Sequence, residues 1–257
     1  MSDDTALPVL VTFPPSIDCE LARFLLVHYR VRYREVRHAL VFSSFSTLWH
    51  GLTPVFPLVY ADGYRCRRPR GIVEHFDRVS PDLRLLPEDP GARQQVESDW
   101  DLFNGSLALE TAAFAYFHLL PHRDLMIRPL AEGVPGFEHS AVESGYPVFA
   151  WLLRTLLRLS PARAEAALGT IRRIFDQVEA RLAARPGRLV GEGITLSDLA
   201  FAVAAAPVVL PGAYGGPIPS LAEMPAPVQA VVAEMRARPA GAYALRFYEA
   251  ERLPRSA

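Results

Sequence analysis

Cysteine is scarce in this sequence, with only Cys19 and Cys66 among 257 residues. Small secreted domains that rely on disulfides carry several cysteine pairs, so a disulfide framework is excluded and a reducing compartment is predicted. The opening residues 1–13 are acidic and lack a basic segment before a long apolar stretch, which predicts that no secretory signal peptide is present. We therefore expect a cytoplasmic protein.

An excess of charge of either sign is also lacking, because 27 Lys and Arg residues are balanced by 28 Asp and Glu residues. Without a net field, there is no reason to expect nucleic acid or an anionic membrane as a partner. The longest apolar run, residues 199–210, contains Pro207 and is far shorter than the about 20 residues of a membrane span. This run predicts a buried helix of a soluble protein.

Motifs for bound phosphate and for metal ions are missing as well. No glycine-rich phosphate loop occurs in the sequence. Among the seven histidines, His118 and His122 have the spacing of two ligands on one helix face, but Pro121 interrupts that helix. No metal site is therefore predicted.

The first 80 residues show alternating strand and helix patterns. Runs of β-branched and apolar residues predict strands, and apolar positions three and four residues apart predict helices. The predicted order is a strand at 8–13, a helix from Ile17 that includes His28, a strand at 31–36, strands at 56–60 and 64–66, and a helix at 69–78. Asp62-Gly63 predicts a tight hairpin turn between the last two strands, and the aromatic stretch 42–49 has no regular pattern. The result is a β-α-β unit followed by a β-β-α unit.

Strand patterns nearly vanish after residue 80. Residues 80–91 hold three prolines and several charges, which predicts a linker. A helical stripe then runs from Val96 to Phe117 and ends at Pro121, and residues 120–147 are predicted to be irregular because Pro and Gly recur throughout. The predicted organisation is an α/β domain over 1–80, a linker over 81–92 and an all-helical domain over 93–257.

Two further helix starts are well marked in the second half. Ser160-Pro161 has a cap residue followed by a proline that the first helical turn accepts. At Thr195 and Asp198 the spacing predicts a capping box, in which each residue's side chain bonds the other's backbone amide. The helix that follows, over 199–209, is apolar on every side and is expected at the centre of its domain.

Three of these features together resemble the glutathione transferase superfamily. They are the capped apolar helix after residues 191–193, the strand Phe56-Pro57-Leu58 with Gly63 six residues after the proline, and the β-α-β start of thioredoxin type. The resemblance covers nearly the whole chain except 120–147, which is longer than the usual connection. It implies an α/β thioredoxin-like N-terminal domain plus an all-α C-terminal domain, glutathione as co-substrate and, often, a homodimer.

The resemblance also implies a cis peptide bond before Pro57. Proline is the residue for which a cis bond is least costly, at about 0.5–1 kcal/mol. The backbone N–H and C=O of Phe56 are then expected to face outward, where they can pair with an extended peptide such as glutathione.

Members of the superfamily carry a Tyr, Ser or Cys at or just after the end of the first strand, and no tyrosine precedes Tyr29. The resemblance places Ser16 at this position, as in serine- and cysteine-type, bacterial-style members. Lowering a thiol pKa from about 8.5 by two units requires about 2.7 kcal/mol. A charge-assisted hydrogen bond of ~1.5–3 kcal/mol from the Ser16 hydroxyl, with ~0.3–2 kcal/mol from the amino end of the first helix, would suffice. Ser16 is thus predicted to stabilise a thiolate, and a simple helix cap is an equal alternative.

Cys19 is a second catalytic candidate, because Ser16-Ile17-Asp18-Cys19 keeps the spacing of a Cys-x-x-Cys motif with serine first. It lies one turn into the helix and could exchange with disulfides or become glutathionylated. As a small buried residue it would instead be inert, and Cys66 is predicted to be structural.

At the γ-glutamyl end of the implied site, the sequence departs from the superfamily pattern. An acidic residue followed by Ser or Thr usually begins the third helix, and counting from Gly63 these positions hold Arg68 and Pro69. Arg68 is able to hold a carboxylate in a fork, whereas Pro69 has neither a hydroxyl nor a backbone donor. Nothing local replaces the counter-charge for the ammonium, although Asp99 or Asp101 of a neighbouring subunit is a candidate.

An apolar pocket for the second substrate is expected between the domains. The candidates for lining it are Trp49, His50, Tyr116 and Phe117, although residues of these types more often belong to the core. We also count His50, with Phe56, Pro57, Arg68 and Pro69, among the candidate glutathione-binding residues.

The sequence therefore predicts a glutathione S-transferase that joins glutathione to a small electrophile. Two alternatives stay open: thiol–disulfide exchange or deglutathionylation through Cys19, and a non-catalytic, transferase-like binding scaffold.

Overall fold

The computed structural model describes residues 7–252. Residues 1–6, on which the prediction of no signal peptide partly rests, lie outside this range. The described chain divides into two compact units. The N-terminal unit contains residues 7–84, 127–146 and 215–218, and the helical unit contains residues 85–126, 147–214 and 219–252. Each unit is thus assembled from separate stretches, whereas the predicted domains are continuous, and the boundaries near residues 80 and 93 stay a prediction.

The N-terminal unit is built on a four-stranded mixed sheet in the order β2-β1-β3-β4. Its strands are β1 (Val9–Thr12), β2 (Arg34–Arg37), β3 (Leu58–Ala61) and β4 (Tyr64–Arg67). β1 runs parallel to β2, with Val9 opposite Arg34, and antiparallel to β3, with Val11 opposite Leu58. Val9, Val11 and Leu58 form a buried apolar cluster on this sheet. This is the thioredoxin-like domain that the sequence predicts.

Asp62-Gly63 joins β3 to β4 as the predicted hairpin. Gly63 has a φ of 88°, a left-handed conformation that glycine adopts without the clash of a Cβ atom. The hairpin sets β4 beside β3, so the chain leaves the sheet at Arg67.

Three helices follow strands in the N-terminal unit: α1 (Ile17–His28), α2 (Leu40–Gly51) and α3 (Arg68–Val79). The helices predicted from Ile17 and over 69–78 are confirmed as α1 and α3. The prediction of no regular structure over 42–49 is wrong, because α2 covers that stretch. The cap residue of α2 is Ala39, whose side chain cannot accept a hydrogen bond. The helix also contains Ser, Thr, Phe and Trp residues, which are modest helix formers. Tertiary contacts supply what the local sequence lacks.

The segment 120–147, predicted to be irregular, is also largely helical, and that prediction is wrong. It contains α6 (Arg123–Ala131), α7 (Gly136–Ser144) and the start of α8 (Tyr146–Leu156). Two of its prolines stand where helices accept them, since Pro135 precedes α7 as its cap residue and Pro147 lies in the first turn of α8. These two prolines therefore mark the starts of short helices, whereas Pro129 lies inside α6.

In the helical unit, the predicted helix over 96–117 is continuous but begins earlier. It consists of α4 (Pro90–Trp100), a π-helical segment (Asp101–Leu107) and α5 (Ala108–Leu119). α4 begins inside the predicted linker because Asp89 caps it, accepting a hydrogen bond from the Ala92 amide at 2.7 Å. The later helices are α9 (Pro161–Ala184), α10 (Leu196–Val209), α11 (Ala226–Ala237) and α12 (Pro239–Phe247).

α10 lies at the centre of the helical unit, as its apolar composition predicts. All of its residues except Pro207 are buried, and Phe201 contacts the rings of Phe103 and Phe175. The predicted capping box at Thr195 is present, and Ser160 caps α9 by accepting from the Arg163 amide at 3.1 Å. None of the helices between residues 7 and 252 is long and apolar enough to cross a membrane.

Candidate functional site

Ser16 lies in the turn that leads from β1 into α1. Its amide donates to the Phe13 carbonyl at 3.1 Å, and its hydroxyl oxygen accepts from the Cys19 amide at 3.4 Å. The predicted helix cap is therefore present, because a side chain at this position satisfies one of the free amides of the first turn. Ser16 as a residue is partly exposed, so the cap does not bury it completely.

Cys19 lies directly behind Ser16 and is completely buried. Its sulfur accepts a hydrogen bond from the Phe13 amide at 3.4 Å. Burial raises the pKa of the Cys19 thiol to about 12, although the charge of Arg23 and the hydrogen bonds from Ser16 and Phe13 act to lower it. The thiolate is the reactive form of cysteine, so this environment opposes thiol–disulfide exchange at Cys19.

Cys66 has a similar environment in β4. It is buried, and burial raises the pKa of its thiol to about 11. Neither cysteine therefore ionises near neutral pH.

The loop before β3 meets the Ser16 turn through aromatic rings. The Phe56–Pro57 peptide bond is cis, as the resemblance implies. The rings of Phe13 and Phe56 contact edge to face, with centroids 5.9 Å apart. The Pro57 carbonyl accepts a hydrogen bond from the Arg68 amide at 2.9 Å. These contacts bring four of the predicted site residues close together: Ser16, Phe56, Pro57 and Arg68.

Arg68 begins α3 at the far end of this neighbourhood. Its side chain is exposed, and its φ of 58° is in the left-handed region that residues with a Cβ rarely adopt. Its guanidinium has no hydrogen bond or ion pair within residues 7–252. Pro69 follows as a buried residue of the first helical turn, where its missing N–H leaves one donor fewer at this helix end.

His50 and Trp49 lie at the carboxyl end of α2. The His50 ring stacks on Tyr60 at 4.9 Å, and Trp49 is 83% exposed. Tyr116 and Phe117 belong to α5 of the helical unit and are partly buried. The roles predicted for these four residues stay a prediction.

Asp99, a candidate counter-charge for an ammonium in the neighbouring subunit, is already engaged. It is 1% exposed, and its two oxygens each accept a hydrogen bond of 2.7 Å from Arg181. A buried carboxylate held by a bidentate arginine is not available to a ligand. Asp101 is exposed and stays a candidate.

A buried ionic network supports the Ser16 turn, and sequence reasoning missed it. Arg23 of α1 is 1% exposed and donates to Glu35 Oε1 at 3.0 and 2.8 Å. It also donates to Glu20 at 3.3 Å and to the Pro14 carbonyl at 3.4 Å. Pro14 lies two residues before Ser16, so the network holds the turn from behind. The only signal in the sequence is the i, i+3 spacing of Glu20 and Arg23, which is as common on exposed helix faces.

The charge of Arg23 also sets the ionisation of Glu35. Burial alone would raise the pKa of Glu35, but the charge and hydrogen bonds of Arg23, the Thr12 hydroxyl and the charge of Arg37 outweigh it and lower that pKa. Glu20 completes the network: both of its carboxylate oxygens accept a hydrogen bond from the Gly215 amide at 3.0 Å. Opposite charges thus neutralise one another around Glu20 and Arg23, which are almost completely buried.

Glu138 of α7 provides the cap that α2 lacks. Its carboxylate accepts from the buried Ala39 amide at 2.8 Å and lies 2.7 Å from His38 Nδ1. Beside it, the rings of Phe42 and Phe137 contact edge to face at 5.5 Å. A carboxylate at a helix N-terminus satisfies a free amide and the positive end of the helix dipole. The segment 120–147 therefore stabilises α2, whose far end carries His50.

Replacing Glu138 by alanine is expected to lower the free energy of unfolding by about 1–3 kcal/mol, because the buried Ala39 amide loses its acceptor. Urea denaturation measures the change. Glu143→Ala, on the exposed face of the same helix, is the matched control and should change stability by less than about 0.5 kcal/mol. Equal stability of the two variants would contradict the capping role of Glu138.

The thioredoxin-like sheet with a separate helical unit is the fold of the glutathione transferases. No family model matches the chain, and no curated protein matches it in sequence. Among solved structures, it is similar to a glutathione S-transferase from Rhodospirillum rubrum, with a TM-score of 0.59, 16% identity, and coverage of 97% of this chain and 94% of that chain.

Two further neighbours have the same fold. FzlA from C. crescentus has a TM-score of 0.57 and 16% identity over 97% of this chain and 94% of its own. Ure2p in complex with glutathione has a TM-score of 0.57 and 15% identity over 95% of this chain and 100% of its own. Likeness at this identity establishes the fold, and the reaction must be argued from the site.

Proposed function

We propose that this protein is a member of the glutathione transferase superfamily that joins glutathione to a small electrophile, with Ser16 stabilising the thiolate. The observation that carries the proposal is the partly exposed Ser16 at the amino end of α1, next to the Phe13–Phe56 contact. Neighbours of the same fold support the choice of ligand, since Ure2p was solved with glutathione. A cytoplasmic homodimer, as the resemblance implies, belongs to the same proposal.

In the proposed reaction, Ser16 acts as a hydrogen-bond donor and not as a nucleophile. The glutathione thiol loses its proton to water, and the hydroxyl of Ser16 donates to the resulting thiolate. The thiolate sulfur then forms a bond to an electrophilic carbon, and the leaving group departs with the electron pair of the bond that breaks. A thiolate is a stronger acceptor than the neutral Cys19 thiol that the hydroxyl now contacts, so the ligand should displace that contact.

Ser16→Ala is expected to raise the thiol pKa of bound glutathione by about one to two units, because a hydrogen bond to a charged group contributes about 1.5–3 kcal/mol. At neutral pH the rate of transfer to an activated aryl chloride should fall about 10- to 100-fold, with little change in KM for glutathione. The thiolate absorbance of the complex, followed against pH, measures the shift directly.

Ser16→Thr is the matched control, because it keeps both the hydroxyl and the cap. Ser16→Ala also removes the cap of α1, which costs about 1 kcal/mol of stability, so both variants are compared well below their unfolding temperatures. A bound thiol whose pKa is the same in wild type and Ser16→Ala would rule out the role of Ser16.

The binding step itself is tested by titrating glutathione against tryptophan fluorescence in wild type, Ser16→Ala and Cys19→Ala. Absence of binding up to millimolar glutathione would refute both the transferase proposal and the exchange alternative. It would favour a non-catalytic scaffold, the alternative that the Arg68-Pro69 replacement supports. Activity lost only in Cys19→Ala would favour exchange chemistry, which the buried thiol with its raised pKa opposes.

A further inference from the structure

The end of the proposed site farthest from Ser16 is dominated by arginines. Arg65, Arg67, Arg68 and Arg70 lie in β4 and in the first turn of α3, and we call them the arginine corner. The corner is joined to Phe56-Pro57 by the hydrogen bond from the Arg68 amide to the Pro57 carbonyl. A peptide that extends along Phe56 away from Ser16 therefore reaches these side chains.

Most of the positive charge of the arginine corner is not neutralised by carboxylates. Arg65 donates to the His50 carbonyl at 2.8 Å, and Arg67 donates to the Gly51 carbonyl at 2.9 and 2.6 Å. These carbonyls end α2 and carry only the partial negative charge of a helix C-terminus. Within residues 7–252, Arg70 is the one member of the corner that pairs with a carboxylate, Glu74 at 3.1 Å.

Carboxylates near the corner are placed where they do not serve a ligand. Asp77 is buried and accepts from the Tyr29 hydroxyl at 2.6 Å. Asp62 lies in the hairpin turn, at the opposite end of β4 from Arg67. A strand rises about 3.3 Å per residue, so the length of β4 separates Asp62 from the start of α3. Within the described residues 56–79, no carboxylate contacts the Arg68 guanidinium, since Glu74 pairs with Arg70 and Asp77 accepts from Tyr29.

Backbone donors are also reduced at this helix start. The Arg68 amide is engaged by the Pro57 carbonyl, and Pro69 has no N–H. Recognition of an acidic group here therefore falls on the Arg68 guanidinium, whose planar fork matches a carboxylate with two hydrogen bonds.

From this charge arrangement we infer that the ligand preferred by the site is a thiol peptide whose far end carries a carboxylate and no ammonium. The inference rests on the proposed function and specifies its substrate class. The γ-glutamyl group of glutathione carries both charges, and its ammonium would lie among arginines without a counter-charge. Removing that ammonium relieves like-charge repulsion and leaves the carboxylate to pair with Arg68.

A direct comparison of two peptides tests the inference. Glutathione and glutaryl-cysteinylglycine differ only by the amino group, and both are titrated calorimetrically into the full-length protein. Wild type is expected to bind the glutaryl peptide about tenfold more tightly. Arg68→Glu should reverse the order, because the new carboxylate pairs with the ammonium and repels the lone carboxylate.

Arg32→Glu is the matched control, since it makes the same change of charge at another exposed arginine. Arg32 lies two residues before β2, which runs parallel to β1, so it is at the opposite end of these strands from Ser16. This variant should keep the wild-type preference of about tenfold for the glutaryl peptide over glutathione. Should Arg68→Glu fail to fold, Arg68→Gln removes the charge alone and should reduce the preference severalfold.

Equal affinity for the two peptides, or tighter binding of glutathione, would overturn the inference and leave the proposed function standing. Absence of binding of either peptide up to millimolar concentration would overturn both. A preference for the glutaryl peptide that persists in Arg68→Gln and Arg68→Glu would overturn the role given to Arg68.

Discussion

Replacing Arg23 by methionine is expected to lower the free energy of unfolding by about 3–5 kcal/mol, because it leaves buried carboxylates without their counter-charge. Arg23 is 1% exposed and is held by Glu35 at 2.8 Å and by Glu20, which is fully buried. Methionine has a similar length, so the main loss is the charge and its hydrogen bonds. Urea denaturation measures the change.

Arg172→Met is the matched control for this substitution. Arg172 forms two hydrogen bonds to Glu234, of 2.7 and 2.6 Å, but both side chains are exposed. Exposed pairs contribute about 0.2–1 kcal/mol, so this variant should remain close to wild type. If the two substitutions lower the free energy of unfolding equally, burial is not the reason that the Arg23 network stabilises the protein.

The pH dependence of the Arg23→Met penalty provides a second readout. The pKa of Glu35 in the folded protein is lowered, chiefly by Arg23 acting against burial. A carboxyl with a depressed folded pKa contributes stability above its unfolded value of about 4.3, and that contribution is lost as the pH falls through the folded pKa. The difference between wild type and Arg23→Met should therefore be largest near neutral pH and shrink below about pH 4. A penalty independent of pH would contradict an electrostatic origin.

Asp198→Ala is expected to cost about 4 kcal/mol, because one fully buried carboxylate serves four donors. Asp198 accepts from the Thr195 amide at 2.8 Å, the Thr195 hydroxyl at 3.0 Å and the Leu189 amide at 3.0 Å. It also accepts from the Tyr243 hydroxyl of α12, and burial together with the Asp198 charge raises the pKa of Tyr243. Thermal unfolding of the variant is the measurement.

Tyr243→Phe is the control for the Asp198 substitution, since it removes a single donor and keeps the ring. It should cost about 1 kcal/mol, because the carboxylate retains its other partners. The double variant should cost less than the sum of the two single ones, since both remove the same hydrogen bond. Additive costs would contradict the shared hydrogen bond between Asp198 and Tyr243. An Asp198→Ala variant within about 1 kcal/mol of wild type would show that the cap is not a central element of stability.

The elements that were predicted well share one property, which is that their causes are local. The Thr195–Asp198 cap joins residues three positions apart, and the hairpin at Gly63 depends on a two-residue turn. The helix cap at Ser16 lies between the end of β1 and the start of α1, which are five positions apart. Short-range geometry of this kind is fixed by residue type and spacing, so it can be read without tertiary information.

The elements that were missed depend on partners far away in the chain. α2 has no cap of its own and takes Glu138 from 99 residues away. Its local propensity is modest, and helices of this length rely on tertiary contacts for most of their stability. The same holds for 120–147, where Pro135 and Pro147 stand at helix starts that only packing distinguishes from a loop.

The sequence by itself therefore determined the thioredoxin-like start, the capped central helix and the place of Ser16, together with the unusual Arg68-Pro69 pair. Only the tertiary structure decided how these parts are held, because Glu20 meets Gly215 across 195 residues and Arg23 is buried against Glu35. It also decided the state of Cys19, whose spacing suggests reactivity but whose burial raises its pKa to about 12. Solvent exclusion and long-range pairing set these energies, and neither is a property of neighbouring residues in the chain.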